Sequence, residues 1–146
     1  MKVFYESKIA KWLLWPGYSS ITLGCLVFTK KSKAEMEQRV LNHETIHVRQ
    51  WEELTLASVF VFLLCLPFEL SLGWILIAPL VSYLWYGVEW LIRLYYWIRK
   101  DIEGTDFRSV SHAAYRSVSF EREAYNNEHI EDYLKVRRLF ECFMYL

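Results

Sequence analysis

The segment LTLASVFVFLLCLPFELSLGWILIAPLVSYLWYGVEWLIRLYYWI, residues 54–98, decides the fold of this chain. It contains two apolar runs, 54–72 and 74–98, on either side of Gly73. Each run is long enough to cross a hydrocarbon core of about 30 Å as an α-helix. Lipid offers the backbone no hydrogen-bond partners, so such a run must be helical there. Because the connection around Phe68 to Gly73 is short, the segment predicts a transmembrane helical hairpin.

The composition of the whole chain agrees with a membrane location. Of its 146 residues, 54% are hydrophobic and 18% are aromatic, more than is usual in a soluble domain. A chain of this length cannot bury so much apolar surface in its own core. Basic and acidic residues number 17 each, so no net charge points to nucleic acid as a partner. The single cysteines Cys25, Cys65 and Cys142 are expected to be small buried side chains in a reducing compartment.

The basic residues indicate how the hairpin is oriented. Eight Lys or Arg residues precede residue 54, eight follow residue 98, and the connection has none. The positive-inside rule then places both termini in the cytoplasm, and we expect an integral protein of a bacterial inner membrane. Within the second run, Glu89 and Arg93 stand one helical turn apart and can pair. In one interpretation the pair lies within the lipid and is functional. In the other, the membrane span ends near Trp90 and the pair belongs to a solvated, amphipathic continuation of the helix.

The remaining residues, 1–53 and 99–146, are expected to form one cytoplasmic domain into which the hairpin is inserted. Residues 19–29 are rich in β-branched and aromatic side chains and predict a strand. Ser32 and Glu35 fit a capping box, which predicts that a long helix begins directly after Ser32.

Two more helices are predicted after the hairpin, over residues 106–116 and 119–143. Asp106 and Ser119 are their expected N-caps.

A pattern typical of zinc enzymes, His43-Glu44-Thr45-Ile46-His47, lies in the helix before the hairpin. Histidines four residues apart lie on one helix face, which suits two ligands of a tetrahedral Zn²⁺. Glu44 lies beside the metal position, where it can act as the general base toward the zinc-activated water. The alternative is a pair of surface histidines on an ordinary helix, with Glu44 solvated.

A catalytic zinc site also needs a third protein ligand and an open fourth position. The helix predicted from residue 119 offers Glu121 and Glu123, which point about 200° apart, so only one can face the metal. His112 and His129 are the competing candidates.

A polar group just before that helix comprises His112, Tyr115 and Arg116. Each of them is a candidate for stabilising the oxyanion formed when water attacks a peptide carbonyl. The alternative for each is an ordinary surface or capping role.

The order of these features resembles that of the membrane-bound gluzincin peptidases, which include HtpX-like, CAAX-prenyl-protease and BlaR-type sensor peptidases. The resemblance covers residues 17–51 and 117–128. In that family the third ligand is the glutamate that opens a Glu-x-x-x-Asp pattern, which implies Glu121 here. Tyr125 stands where the family has its aspartate. The resemblance also implies that the strand before the His-Glu-x-x-His helix aligns the substrate.

We therefore expect a mainly α protein: a two-helix transmembrane hairpin joined to a small zincin-like domain. The expected activity is that of a zinc metalloendopeptidase, with Zn²⁺ as cofactor. Its expected partners are the lipid bilayer and a peptide or membrane-protein substrate, and not nucleic acid. One rival is a non-catalytic zinc-binding membrane subunit or sensor within a larger complex. Another is a membrane protein without metal, in which the histidine pair only packs.

Overall fold

The computed structural model describes residues 1–68, 71–100 and 106–146, which form a mainly helical protein with one small sheet. The strands are β1 (Lys2–Phe4), β2 (Ser20–Leu23) and β3 (Leu26–Thr29). The α-helices are α1 (Lys8–Leu13), α2 (Gln38–Cys65), α3 (Val81–Lys100), α4 (Phe107–Ser117), α5 (Ser119–Asn127) and α6 (Tyr133–Val136). Three 3₁₀ helices cover Leu66–Phe68, Leu72–Leu80 and Glu141–Tyr145.

The strand predicted over residues 19–29 is in fact a hairpin of two strands. Gly24 has a φ of +62°, a left-handed conformation that glycine adopts freely, and the chain reverses there. β2 then pairs antiparallel with β3, while β1 pairs with the other side of β3 in parallel. The resulting order β1-β3-β2 leaves β2 at one edge of the sheet.

The long helix α2 begins later than the capping box predicts. Glu35 Oε2 does accept hydrogen bonds of 2.9 Å from both the backbone N–H and the hydroxyl of Ser32. These contacts close an isolated turn, because Glu37 is extended at φ −67° and ψ 144° and interrupts the helical path. The helix starts at Gln38 and continues without a break through the histidine pair into the apolar run.

Among the described residues, one helical rod has the length and apolar character to cross a membrane. This rod, Leu72–Lys100, has 29 residues and consists of a 3₁₀ helix followed by α3. Only 17% of its most apolar 18-residue stretch is buried. The apolar half of α2, from Leu54 to Cys65, is about 18 Å long at 1.5 Å per residue. The structure thus shows one helix of membrane length and does not show the predicted pair. Glu69, in the predicted connection, lies outside the described residues.

The two halves of the predicted hairpin nevertheless pack side by side. α2 runs along the 3₁₀ helix Leu72–Leu80. The indole N–H of Trp51 donates a 2.9 Å hydrogen bond to the carbonyl of Pro79. This contact fixes the start of α3 next to the part of α2 that carries the histidines.

The region after the hairpin differs from the prediction in where its helices end. α4 matches the predicted helix 106–116, with Asp106 at the N-cap position but without a side-chain capping bond. The helix predicted over 119–143 is wrong, because α5 ends at Asn127 and the chain then turns repeatedly. Ser119 is the first residue of α5 and not its cap, a position that Val118 occupies.

The buried carboxylate of Glu89 caps α5 from a neighbouring helix. Its oxygens accept 2.8 Å and 2.6 Å hydrogen bonds from the backbone N–H and the hydroxyl of Ser119. Arg93 pairs with the same carboxylate at 3.1 Å. Glu89 therefore joins α3 to the N-terminus of α5, which positions the acidic residues of α5 against α2.

The core cluster beside this joint contains the buried side chains of Leu54, Val118, Phe120 and Cys142. All three cysteines are free, and burial raises the pKa of the Cys142 thiol to about 12. Cys142 is buried as expected, but Cys65 is only partly buried, and Cys25 is exposed because it follows Gly24 in the β2–β3 turn.

Candidate metal centre

Three candidate ligands from two helices meet at one point. His43 and His47 project from the same face of α2, with their Nε2 atoms 3.0 Å apart. Glu121, from the first turn of α5, places Oε2 3.4 Å from Nε2 of His43 and Oε1 3.4 Å from Nε2 of His47. All three side chains are at most 15% exposed. Of the candidate ligands that the sequence offered, the structure brings these three together.

The spacing of these atoms suits a small tetrahedral cation. Two ligands bound at about 2.05 Å with a tetrahedral angle lie about 3.3 Å apart, close to the distances found here. Oε2 of Glu121 is buried and accepts no hydrogen bond from any residue that the structure describes, whereas Oε1 accepts one of 3.0 Å from the hydroxyl of Tyr86. A buried carboxylate oxygen without a donor is costly unless a cation approaches it. Two imidazole nitrogens and one carboxylate oxygen are ligands that Zn²⁺ accepts.

Hydrogen bonds at the far side of each imidazole fix its orientation. Nδ1 of His43 lies 2.9 Å from Oε2 of Glu128, and Nδ1 of His47 lies 2.8 Å from Oε1 of Gln50. Both partners are acceptors, so both Nδ1 atoms carry the proton in the neutral rings. Each Nε2 lone pair then faces the common point, as metal-binding histidines require.

The charges around this point favour a cation. Burial disfavours a charge on His47, but the carboxylates of Glu121 and Glu44 outweigh it and raise the pKa of His47 to about 9. Burial alone would raise the pKa of Glu121, yet His47 and His43 hold it well below its usual range. The same carboxylates that favour a proton on His47 would favour a metal cation at this point.

Glu44, the predicted general base, lies buried at the side of the ligand group. Its Oε2 accepts a 2.6 Å hydrogen bond from the hydroxyl of Thr22 in β2. Both residues line a cavity of about 300 Å³ that reaches the three candidate ligands. Glu44 is thus oriented by the sheet and faces the same space as the ligands.

The competing candidates for the third ligand lie elsewhere. Glu123 is fully buried, but it pairs with Arg137 and accepts a 2.9 Å hydrogen bond from Gln50. His112 and His129 are exposed. None of the three belongs to the ligand group.

Of the three candidate oxyanion stabilisers, one lines the cavity and two are exposed to solvent. Tyr115 lines the cavity, and its ring packs edge-to-face on Tyr18 with centroids 5.4 Å apart. Burial and the carboxylate of Glu121 raise the pKa of Tyr115, so its hydroxyl keeps its proton. Arg116 is exposed and lies over the ring of Tyr125, and His112 is exposed as well.

The cavity itself has a mostly apolar wall. The wall is formed by β2, by the chain before β2, and by α2, α3, α4 and α5. The lining residues are Leu14, Tyr18, Ser20, Ile21, Thr22, Leu23, His43, Glu44, His47, Gln50, Trp51, Ser82, Tyr83, Tyr86, Tyr115, Phe120 and Glu121. The whole of the edge strand β2 therefore borders the cavity.

Sequence reasoning missed three supporting residues. Gln50 lies three positions after His47 on the same helix face, a spacing that could have identified it. Glu128 lies seven residues after Glu121, just past the end of α5, and its carboxylate contacts Nδ1 of His43. Thr22 carried no signal, because its contact with Glu44 depends on how the sheet packs.

No match to this chain was found among protein-family models, curated proteins or solved structures.

Proposed function

We propose that this protein is a membrane-embedded zinc metallopeptidase that hydrolyses peptide bonds. The observation that carries the proposal is the convergence of three largely buried candidate ligands, His43, His47 and Glu121, beside Glu44 and a cavity. Three protein ligands leave the fourth position of a tetrahedral site open, which is typical of catalytic zinc and not of structural zinc. This favours an enzyme over a zinc-stapled subunit or sensor.

The proposed roles follow from position and chemistry. A bound zinc ion would polarise the substrate carbonyl and lower the pKa of water toward neutrality. Glu44 accepts the proton of the attacking water and returns it to the leaving amine. The hydrogen bond from Thr22 holds the Glu44 carboxylate in place, so little reorientation is needed before proton transfer.

Tyr115 is assigned to the developing oxyanion. Its hydroxyl is a donor that stays protonated, and the residue lines the cavity. Of the three candidates for this role, it is the one supported by position, since His112 and Arg116 are exposed.

The substrate is proposed to bind as an extended strand along β2. One edge of β2 is paired with β3, and its residues border the cavity. An added strand gains main-chain hydrogen bonds while its side chains enter pockets. Apart from the metal site and Glu44, the described residues of the cavity wall include no ionisable groups other than tyrosines. We therefore expect a large apolar side chain next to the scissile bond.

The membrane part is proposed to be a two-helix hairpin, with the rod Leu72–Lys100 as one arm. The apolar half of α2 and the 3₁₀ helix Leu66–Phe68 add up to about 24 Å, most of the hydrocarbon core thickness of about 30 Å. Residues 1–53 and 99–146 would form the cytoplasmic domain at the inner membrane. A peptide segment close to the membrane is then the natural substrate.

A cleavage assay tests the proposal. The detergent-solubilised protein is incubated with a mixture of peptides, and the products are identified by mass spectrometry. We expect cleavage by the wild type and by Glu52→Gln, a matched change at a more exposed position of α2. Glu44→Gln should lose at least about 100-fold in rate, because an amide cannot accept the proton. Equal cleavage by Glu44→Gln with its zinc retained would refute the mechanism.

A further inference from the structure

One arginine from the C-terminal segment lies buried close to the metal centre without belonging to it. The side chain of Arg137 is 2% exposed and forms ion pairs with Glu53 of α2 and Glu123 of α5. Both carboxylates accept further hydrogen bonds, of 3.0 Å from the backbone N–H of Phe140 and of 3.1 Å from the hydroxyl of Tyr133. Burying three charged groups is costly, and such clusters are best explained where they fix a particular geometry.

The cluster is connected to Gln50, which is 1% exposed. The Gln50 amide nitrogen donates a 2.9 Å hydrogen bond to Glu123 and one of 3.1 Å to the carbonyl of Phe120. Both partners are acceptors, so both amide hydrogens are used and the orientation of the amide is fixed. The amide oxygen must then point the other way.

That oxygen lies 2.8 Å from Nδ1 of His47. Because the Gln50 oxygen can only accept, it selects the form of His47 in which Nδ1 carries the proton and Nε2 is free. A rotated amide would present N–H groups to Nδ1 and would place the proton on Nε2, where a metal could not bind.

His43 is oriented by a separate branch that serves as an internal comparison. Its Nδ1 meets Glu128, which pairs at 3.5 Å with Arg39. The Arg39 side chain is 63% exposed, so solvent can replace it at little cost. The two histidines thus have the same kind of support, but only the branch to His47 ends in a buried arginine.

We propose that Arg137 is a positioning residue of the metal centre, which acts through Glu123 and the Gln50 amide. Its effect is to hold the His47 ring with Nε2 directed at the metal. The inference rests on the proposed metal site and adds that the C-terminal segment controls its affinity.

The test measures metal affinity in the full-length protein with Gln50→Met, Arg137→Lys and the double variant. Arg137→Lys keeps the charge but loses the planar fork that holds two carboxylates. Arg39→Lys is the matched control. Zn²⁺ affinity is measured by competition with a chromogenic chelator, and the Co²⁺ absorption spectrum reports the ligand geometry. Circular dichroism and thermal melting establish that each variant is folded.

We expect Gln50→Met to weaken Zn²⁺ binding by about 10- to 100-fold and Arg137→Lys by about 10-fold. Both should alter the Co²⁺ spectrum, whereas Arg39→Lys should leave both readouts close to wild type. Because Arg137 acts through Gln50, the double variant should bind no more weakly than Gln50→Met alone.

Three outcomes would overturn the inference. One is a wild-type Zn²⁺ affinity and Co²⁺ spectrum in Arg137→Lys, which would show that the metal site does not depend on Arg137. Another is additive losses in the double variant, which would mean that the two residues act independently. A wild-type protein that binds neither Zn²⁺ nor Co²⁺ would instead refute the proposed function, and the positioning role with it.

Discussion

The hydroxyl of Thr22 donates a 2.6 Å hydrogen bond to Oε2 of Glu44, so the edge strand and the proposed catalytic base are physically linked. β2 is also the strand along which we propose that the substrate lies. A substrate that shifts β2 would therefore also shift the carboxylate that must reach its scissile bond.

Thr22→Val tests this link, because valine keeps the shape of threonine and removes the hydroxyl. A hydrogen bond to a charged group contributes about 1.5–3 kcal/mol, so kcat should fall about 10-fold or more while zinc content stays the same. Thr45→Val is the control, since the Thr45 hydroxyl donates to the carbonyl of Leu41 in its own helix. Unchanged kcat in Thr22→Val would mean that Glu44 is positioned without the strand.

Tyr115→Phe tests the assignment of the oxyanion stabiliser. Removal of one donor to an oxyanion typically costs about 100- to 1000-fold in kcat, and KM should change little because the ring remains. His112→Ala and Arg116→Ala should both keep kcat near wild type, since their side chains are exposed. A larger loss of kcat in either of them than in Tyr115→Phe would move the role to that residue.

Zinc binding should release a proton from the protein. His47 has a pKa of about 9 in the metal-free state because of the nearby carboxylates, so it is protonated at pH 7. Zinc requires the neutral ring, so its apparent affinity should rise about 10-fold per pH unit between about pH 6 and pH 8. Calorimetry in buffers of different ionisation enthalpy measures the protons released, and about one per zinc is expected. A flat pH dependence would contradict this assignment.

The topology of the hairpin can be tested by cysteine labelling in a background without native cysteines. Single cysteines at Lys33 and Arg138 should react only from the cytoplasmic side, and one at Ser71 only from the opposite side. Labelling of Ser71→Cys from the cytoplasm alone would show that the hairpin enters the membrane without crossing it.

Local patterns in the sequence predicted some parts of the structure well. The face shared by His43 and His47 follows from helical spacing alone. Glu121 joins them and Glu123 does not, because the two side chains point in different directions from α5: Glu121 toward the histidines, Glu123 toward Arg137. Helical periodicity limited the choice to one of the two, and the resemblance to gluzincins favoured Glu121.

Other parts depend on contacts between distant residues, which a single sequence does not reveal. The chain between α5 and the last 3₁₀ helix contains no proline or glycine to mark its turns. Just before that 3₁₀ helix, Phe140 has a left-handed φ of 58°, and its N–H donates a hydrogen bond to Glu53. Ser119 bonds to Glu89 on another helix, which no capping rule for α5 alone could anticipate. Tertiary contacts overrode local preference at each of these places.

The central claim is that His43, His47 and Glu121 bind zinc, and the zinc content of the purified protein tests it most directly. Glu131 and His129 provide exposed controls close to the site in sequence; Glu123 is unsuitable because of its buried pairing with Arg137. We expect about one zinc per chain in the wild type, Glu131→Ala and His129→Ala, and at most about a tenth of that in folded Glu121→Ala or His43→Ala. A wild-type protein without zinc, or a Glu121→Ala variant that keeps it, would contradict the account.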